Sequence, residues 1–173
     1  MKLINSKNLE SKRLILRSTN MDDVELVYAL RSNAIVRKYI MQPLYKTQEE
    51  AAIHIKNLLT YLKENKSISW TIINKKTNQK LGSICLWNLS EDRKTAEVGY
   101  DLLPEYFKKG YMSEALQEVI SFGFNKLRLN AIEAFTHTKN KASKKLLLAN
   151  GFTQDSKRKD LDFPKNIIFT LKK

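Results

Sequence analysis

The stretch AEVGYDLLPEYFKKGYMSEAL, residues 96–116, decides the fold of this chain. Polar and apolar residues alternate up to Pro104, as in a strand, and a basic turn with Gly110 then opens an apolar-periodic helix. The first backbone N–H groups of a helix have no internal partner, and the helix dipole adds partial positive charge there. Lys108 and Lys109 add two full charges beside this point. The sequence therefore predicts that this turn binds a diphosphate.

The length and composition favour a single domain over residues 1–173. Hydrophobic residues make up 42% and charged residues 28% of the chain, which is ordinary for a soluble globular protein. No apolar run approaches the roughly 20 residues of a membrane helix, and the N-terminus lacks the apolar part of a secretory signal. With one cysteine, Cys85, the chain cannot form an internal disulfide, so we expect a cytoplasmic protein without membrane contact.

The net charge of +13 admits three kinds of partner, namely nucleic acid, a membrane surface or a polyphosphate ligand. The lysines are scattered through every segment, which is typical of a lysine-rich solvated surface. Two local concentrations stand out, at residues 139–145 and 157–159. The total charge therefore does not by itself predict direct nucleic-acid binding.

Hydrophobic periodicity and capping signals predict a chain of mixed strands and helices. The predicted strands span residues 12–18, 67–74, 80–88, 94–103, 131–136, 152–158 and 166–171. The predicted helices span residues 21–31, 34–39, 47–64, 110–126 and 140–151. Thr47 and Glu50 form a capping box, and Gly151 suits a left-handed C-terminal cap. We expect an α+β domain with mixed α/β layers, in which helices pack on one sheet.

A second motif, N-x-x-S followed by G-F, is formed by Asn140, Ser143, Gly151 and Phe152. Together with the turn at residues 107–112 and the order of elements, it resembles the GCN5-related N-acetyltransferase (GNAT) family. The details are similar to the Rim-type branch, which acetylates N-terminal amines of ribosomal proteins. The acetyl-CoA signature of the family is Q/R-x-x-G-x-G/A. Here Gly110 is kept, while Phe107 and Met112 replace the first polar and the last small residue.

The resemblance implies a mostly antiparallel central sheet of about seven strands with helices on both faces. It also implies transfer of an acetyl group from acetyl-CoA to a primary amine without a metal, with a ribosomal-protein N-terminus as the first choice. Two alternatives stay open, namely acetylation of a small amine (polyamine, amino acid or antibiotic) and a non-catalytic module that binds CoA or RNA. A homodimer is plausible by resemblance, although no sequence feature demands one.

The resemblance assigns the CoA site to the turn before the 110–126 helix and to the start of the 140–151 helix. Gly110 lets the backbone approach the phosphates, and Ser113 can add a hydroxyl. A backbone N–H of Leu102 or Leu103 would meet the oxyanion, beside a bulge that separates this strand from the next. The predicted set is Leu102, Leu103, Lys108, Lys109, Gly110, Tyr111, Met112, Ser113, Asn140, Ser143 and Lys145.

Glu97 is the candidate general base. It interrupts an apolar strand and points to the face opposite Ala96 and Val98. A carboxylate there could take the proton of a substrate ammonium directly or through a water. The alternative is a solvated glutamate on a half-exposed strand.

Ser143 is the candidate catalytic donor to the departing CoA thiolate, because it lies near the start of the last predicted helix. A thiolate whose conjugate thiol has a pKa of about 8.5 needs only a weak donor. Many members of the family have a tyrosine seven residues after the asparagine, where this chain has Leu147. The alternative for Ser143 is a helix-capping serine, and Asn140 is either a cap or a partner of the pantetheine arm.

Overall fold

The computed structural model of this chain describes residues 2–3 and 6–173. Within that part of the chain, eight strands and four α-helices form the architecture. The strands are β1 (Leu9–Glu10), β2 (Leu14–Ser18), β3 (Ile68–Asn74), β4 (Lys80–Trp87), β5 (Thr95–Leu102), β6 (Ala131–His137), β7 (Thr153–Asp155) and β8 (Asn166–Lys172). The helices are α1 (Val24–Arg31), α2 (Gln48–Lys63), α3 (Tyr111–Asn125) and α4 (Lys141–Ala149). None of the described helices is both long and apolar enough to span a membrane.

The strands form a single sheet with the spatial order β1-β2-β3-β4-β5-β6-β8-β7. Every neighbouring pair is antiparallel except β5 and β6, which run parallel. The predicted α+β class with a mostly antiparallel sheet is therefore confirmed. The sheet has eight strands instead of about seven because Leu9–Glu10 adds a two-residue edge strand beside β2.

Side chains alternate along each strand, so both faces of the sheet carry apolar residues, and helices pack on both faces. Ile84 and Leu86 of β4 belong to the main core, into which the buried face of α3 packs. Ser83 and Cys85 point to the other face, where α1 and α2 pack on each other through a second apolar cluster. The buried residues of that cluster are Val27, Ala51 and Ile55.

Local capping explains where several elements begin and end. The predicted capping box of Thr47 and Glu50 is present at the start of α2, and Gly151 follows α4 with φ of 84°. The predicted helix at residues 34–39 is instead a hydrogen-bonded turn. Asn33 Oδ1 accepts from the N–H groups of Ile35 and Val36, so one side chain closes a single turn that does not propagate into an α-helix.

The site-forming feature of the sheet is a gap between β5 and β6. The two strands pair only from Thr95 to Glu97 and then separate. On its other edge β5 keeps a regular register with β4 as far as Leu102. The gap therefore opens without the expected bulge on the β4 side of this strand.

Candidate active site

The gap between β5 and β6 widens into a groove of about 520 Å³. Its walls include Glu97 and Tyr100 from β5, His137 from the end of β6, and Asn140 and Ser143 from the start of α4. Three of these residues come from two separate stretches of the sequence, namely Glu97 from the 96–116 stretch and Asn140 and Ser143 from the N-x-x-S motif. The fold brings them to one groove because α4 begins directly beyond the open end of the gap.

Glu97 lies half-buried at the last β5–β6 pair, opposite Glu133. Asn88 Nδ2 donates a hydrogen bond to Glu97 Oε1. Burial raises the pKa of Glu97; the bond from Asn88 opposes this rise, and the charges of Glu133 and Asp160 add to it. A carboxylate with a raised pKa is a stronger base, which suits removal of a proton from an ammonium group.

Tyr100 is the groove residue that sequence reasoning missed. Its hydroxyl lies 2.8 Å from Ser143 Oγ, and either oxygen can donate. Burial raises the pKa of Tyr100 to about 12, so the phenol keeps its proton near neutral pH. The only indication in the sequence was that Tyr100 carries a hydroxyl, whereas Ala96 and Val98, on the same face of β5, are apolar. Leu147, where many family members have a tyrosine, is fully buried in the core.

Asn140 caps α4, and this leaves the Ser143 hydroxyl free for other partners. Asn140 Oδ1 accepts a hydrogen bond from the backbone N–H of Ser143 at 3.1 Å. The capping side chain of this helix is thus Asn140, and the capping alternative for Ser143 does not apply. The Ser143 hydroxyl instead reaches across the gap to β5.

The register of β4 and β5 determines which backbone N–H groups face the gap. Leu103 N–H donates to the Leu81 carbonyl at 2.9 Å. Hydrogen-bonded and non-bonded positions alternate along an antiparallel pair, so the N–H groups of Tyr100 and Leu102 point away from β4 toward the gap. Of the two predicted oxyanion donors, the Leu103 N–H is therefore occupied within the sheet, and the Leu102 N–H has no acceptor among the described residues.

The turn before α3 presents a row of unused backbone N–H groups. Within the described chain, none of the N–H groups of residues 108–113 donates to another protein group. Lys108 and Gly110 have φ of 59° and 78°, and successive N–H groups in such left-handed turns form concave anion sites. The predicted diphosphate cradle thus has its donors available at the N-terminus of a 15-residue helix.

Arg13 holds this turn in place from the start of β2. Its Nη1 donates to the Lys109 carbonyl at 3.0 Å, and its Nε donates to Glu114 Oε2 at 2.6 Å. The guanidinium also lies 4.5 Å from the centre of the Tyr111 ring. These contacts use a carbonyl and side chains, so they fix the turn without consuming its N–H groups.

The other predicted cofactor residues divide into packed and exposed groups. Tyr111 and Met112 are half-buried and pack against the main core. The Ser113 hydroxyl is paired with Asn150, whose Nδ2 donates to it at 3.0 Å, so it ties α3 to the end of α4. The lysines of the predicted set, Lys108, Lys109 and Lys145, are exposed.

A second cavity of about 900 Å³ lies on the face of β5 that α1 and α2 cover. It shares wall residues with the groove, among them Trp87, Asn88 and Gly99. A Cβ on Gly99 would lie 3.2 Å from Cys85 Sγ and 3.7 Å from Trp87 Nε1. A glycine at this position therefore leaves the space beside Cys85 and Trp87 unfilled, where the groove and the larger cavity share their walls.

Residues 13–153 match the protein family described as the acetyltransferase (GNAT) domain. This chain belongs to the GNAT family. The uncharacterized N-acetyltransferase YoaA of Bacillus subtilis (strain 168) is 35% identical over 147 residues, which are 85% of this chain and 83% of YoaA. As a GNAT enzyme, the chain transfers acetyl groups and uses acetyl-CoA as the donor. The unused N–H groups at residues 108–113 fit the CoA diphosphate, and the β5–β6 groove fits its pantetheine arm.

Solved structures agree with this assignment at the level of the fold. RimL, a ribosomal L7/L12 α-N-protein acetyltransferase in complex with CoA, superposes with a TM-score of 0.84 at 18% identity, covering 96% of this chain and 98% of RimL. A ribosomal-protein-S5-alanine acetyltransferase from Vibrio fischeri gives a TM-score of 0.80 at 20% identity, with 96% and 97% coverage. The GNAT resemblance is thus confirmed, and these neighbours share its fold.

Proposed function

We propose that this GNAT enzyme acetylates the N-terminal amine of a protein, with a ribosomal protein as acceptor. The observation that carries the proposal is the cavity of about 900 Å³ that joins the groove at Gly99. Small-molecule sites span roughly 300–1,000 Å³, so this cavity is at the large end of that range. It exceeds what a diamine needs and suits the first residues of an extended peptide. The acceptors named for RimL and for the Vibrio fischeri enzyme support the same class of substrate.

Acetyl-CoA, the acetyl donor, binds at the N-termini of α3 and α4. The N–H groups of residues 108–113 bind the diphosphate, and the exposed Lys108 and Lys109 add long-range attraction for its charge. The Asn140 side chain uses its oxygen to cap α4, which leaves its amide N–H₂ to donate to the pantetheine arm.

Glu97 starts the chemistry by taking a proton from the acceptor ammonium, directly or through a water. An N-terminal amine has a pKa of about 8 and a lysine side chain about 10.4, so an N-terminal acceptor is the easier one to neutralise. The neutral nitrogen then forms a bond to the acetyl carbon as the carbon–sulfur bond breaks. The Leu102 N–H stabilises the negative charge that develops on the carbonyl oxygen.

Tyr100 and Ser143 complete the reaction at the leaving sulfur. The Tyr100 phenol is protonated and linked to Ser143, so the pair can pass one proton to the departing thiolate. The products are the acetylated amine and CoA. As the amide forms, the nitrogen loses a second proton, which replaces the one that the Tyr100–Ser143 pair gave to sulfur, and the proton that Glu97 removed returns to solvent.

Thiol release from acetyl-CoA, followed across a panel of amines, tests the proposal. Peptides with a free N-terminus should release CoA, whereas the same peptides with a blocked N-terminus should not. Mass spectrometry should locate the acetyl group on the α-amine. Burial raises the pKa of the Cys85 thiol to about 12, so this residue should add little background to a thiol reagent. Turnover confined to polyamines, amino acids or antibiotics would instead establish a small-amine enzyme.

A further inference from the structure

The larger cavity contains two arginines, Arg31 and Arg37, that form no ion pair with a described carboxylate. Arg37 is 7% exposed and lines the cavity. Its Nη2 donates to Gln42 Oε1 at 2.8 Å, but its Nε is buried without a hydrogen-bond partner among the described residues. Burying a guanidinium without a paired anion raises the free energy of the folded protein. An anionic group of a ligand that pairs with Arg37 would lower it.

Arg31 reinforces the same positive region from the last turn of α1. Its guanidinium lies 5.5 Å from the centre of the Tyr45 ring, and it forms no ion pair with a described residue. His54 lines the same cavity, and its pKa is lowered to about 4 by burial and by the charges of Arg31 and Arg37. Burial is the larger cause of this low pKa, and the two arginine charges add to it, so the three side chains share one positive region of the cavity.

The remaining charged groups of the cavity do not neutralise the arginine pair. Lys66 and Arg93 lie in the wall and add further positive charge, although Lys66 is paired with Glu64. Asp101 is the one carboxylate in the described lining of this cavity. It accepts a hydrogen bond from Ser83 Oγ at 2.6 Å and forms no ion pair with a described arginine. Burial raises the pKa of Asp101, and the charges of Arg31 and Arg37 oppose this rise, so one carboxylate is shared between two guanidinium groups. Positive charge is therefore in excess.

We propose that Arg31 and Arg37 bind a carboxylate of the acceptor, so that this enzyme selects amines that carry a negative charge. The inference rests on the proposed function, because it names the class of acceptor that the same cavity takes. A guanidinium matches a carboxylate with two parallel hydrogen bonds, which gives orientation as well as affinity. The carboxylate is anchored on the α1 side of the cavity, and the amine extends past Gly99 toward Glu97.

The overall charge of the enzyme agrees with this choice of acceptor. A protein of net charge +13 repels a basic acceptor and attracts an acidic one. Acidic residues near the acceptor N-terminus therefore assist the encounter as well as the bound complex. A neutral amide of the same shape gains neither the long-range attraction nor the charge-assisted hydrogen bonds.

Three short acceptors separate the charge of the carboxylate from its position. Ala-Glu-Ala amide and Ala-Gln-Ala amide differ in one carboxylate, and Ala-Gln-Ala with a free C-terminus moves that charge to the chain end. Charge-assisted hydrogen bonds are about twice as strong as neutral ones, so wild-type kcat/KM should favour a carboxylate peptide about tenfold. The better of the two carboxylate peptides identifies the source of the anion.

Variants of the arginines test the assignment directly. Arg31→Gln and Arg37→Gln should each lower the preference for the carboxylate peptide to nearly onefold, and Arg37→Lys should restore part of it. Lys38→Gln is the matched control, because Lys38 belongs to the same turn but is exposed and outside the cavity. If Arg37→Gln does not fold, the half-buried Arg31 still decides the question. A preference that survives in Arg31→Gln, or that is absent from the wild type, overturns the subsite.

Calorimetry with the CoA-bound enzyme separates this inference from the proposed function. Binding of Ala-Glu-Ala amide that is tighter than that of Ala-Gln-Ala amide, and that weakens in Arg31→Gln, supports the subsite even if no acetyl group is transferred. In that case the proposed acetyl transfer is wrong, but the carboxylate subsite is supported. Equal binding of all three peptides by the wild type, or no binding of any of them, overturns the subsite whatever the transfer assay gives.

Discussion

Replacing Glu97 by glutamine should remove most of the activity while leaving the groove intact. Glutamine has the same shape and keeps a carbonyl oxygen that can accept the hydrogen bond from Asn88, but it cannot take a proton. Positioned general bases contribute about 10²–10⁴-fold in rate. An N-terminal amine with a pKa of about 8 is already partly neutral at pH 7.5, which favours the lower end of that range. We expect kcat/KM to fall about 100-fold, or about 2.7 kcal/mol.

The pH dependence distinguishes a base from a structural residue. The pKa of Glu97 lies above the ordinary glutamate value of 4.5, with burial as the main cause. A carboxyl whose pKa is higher in the folded state stabilises the protein below its unfolded pKa, and this stabilisation is lost as pH rises through the folded pKa. At neutral pH the ionised carboxylate therefore opposes folding. Glu97→Gln should accordingly melt at the same temperature as the wild type, or higher, at pH 7.

Thiol-release kinetics from roughly pH 6 to 9, with thermal melts on the same samples, provide the measurement. Glu91→Gln is a suitable control, because Glu91 is an exposed glutamate of the loop between β4 and β5. A Glu97→Gln enzyme that keeps the full rate over this range would refute the assignment of the base. A loss of rate that accompanies a large drop in melting temperature would refute the claim that the carboxylate acts chemically and not structurally.

Two further substitutions test the donor side of the groove. Tyr100→Phe removes the hydroxyl that lies 2.8 Å from Ser143 Oγ, and it should lower kcat about tenfold with acetyl-CoA but much less with an acetyl thioester of a more acidic thiol. An equal loss with both donors would contradict proton donation to sulfur. Gly110→Ala places a Cβ 3.3 Å from Arg13 Nη2 at φ of 78°, a strain of about 1 kcal/mol, and should raise the KM for acetyl-CoA severalfold with little change in kcat. An unchanged KM in steady-state kinetics would place the diphosphate elsewhere.

Short stretches of sequence were enough to predict most of the helices and strands. The capping box of Thr47 and Glu50, the alternation around Glu97 and the glycine after α4 all act within a few residues, so the sequence pattern located α2, β5 and α4 closely. The two-residue strand Leu9–Glu10 was missed because so short a strand has no readable period. The turn after α1 was predicted as a helix because the period alone does not reveal that Asn33 closes it after one turn.

The site was predicted where motifs mark it and missed where only the tertiary fold creates it. Asn140 and Ser143 belong to a spaced motif, and both line the groove. Tyr100 looks like an ordinary core residue, since nothing local indicates that β6 leaves β5 after Glu97. Arg37 looks like one basic residue among many in a lysine-rich chain. Its burial beside the cavity depends on how the turn after α1 folds against the sheet.

Strand β5 borders both spaces in which the proposed donor and acceptor bind. Its open edge directs the Leu102 N–H into the gap, and Gly99 and Tyr100 line both the groove and the larger cavity. Two reactants, one in each space, can therefore meet at the same strand. A covalent acetyl-enzyme would need an activated nucleophile, and the half-buried Cys85 thiol, with a pKa raised to about 12, is not one. The geometry favours attack by the amine within a complex that holds both substrates.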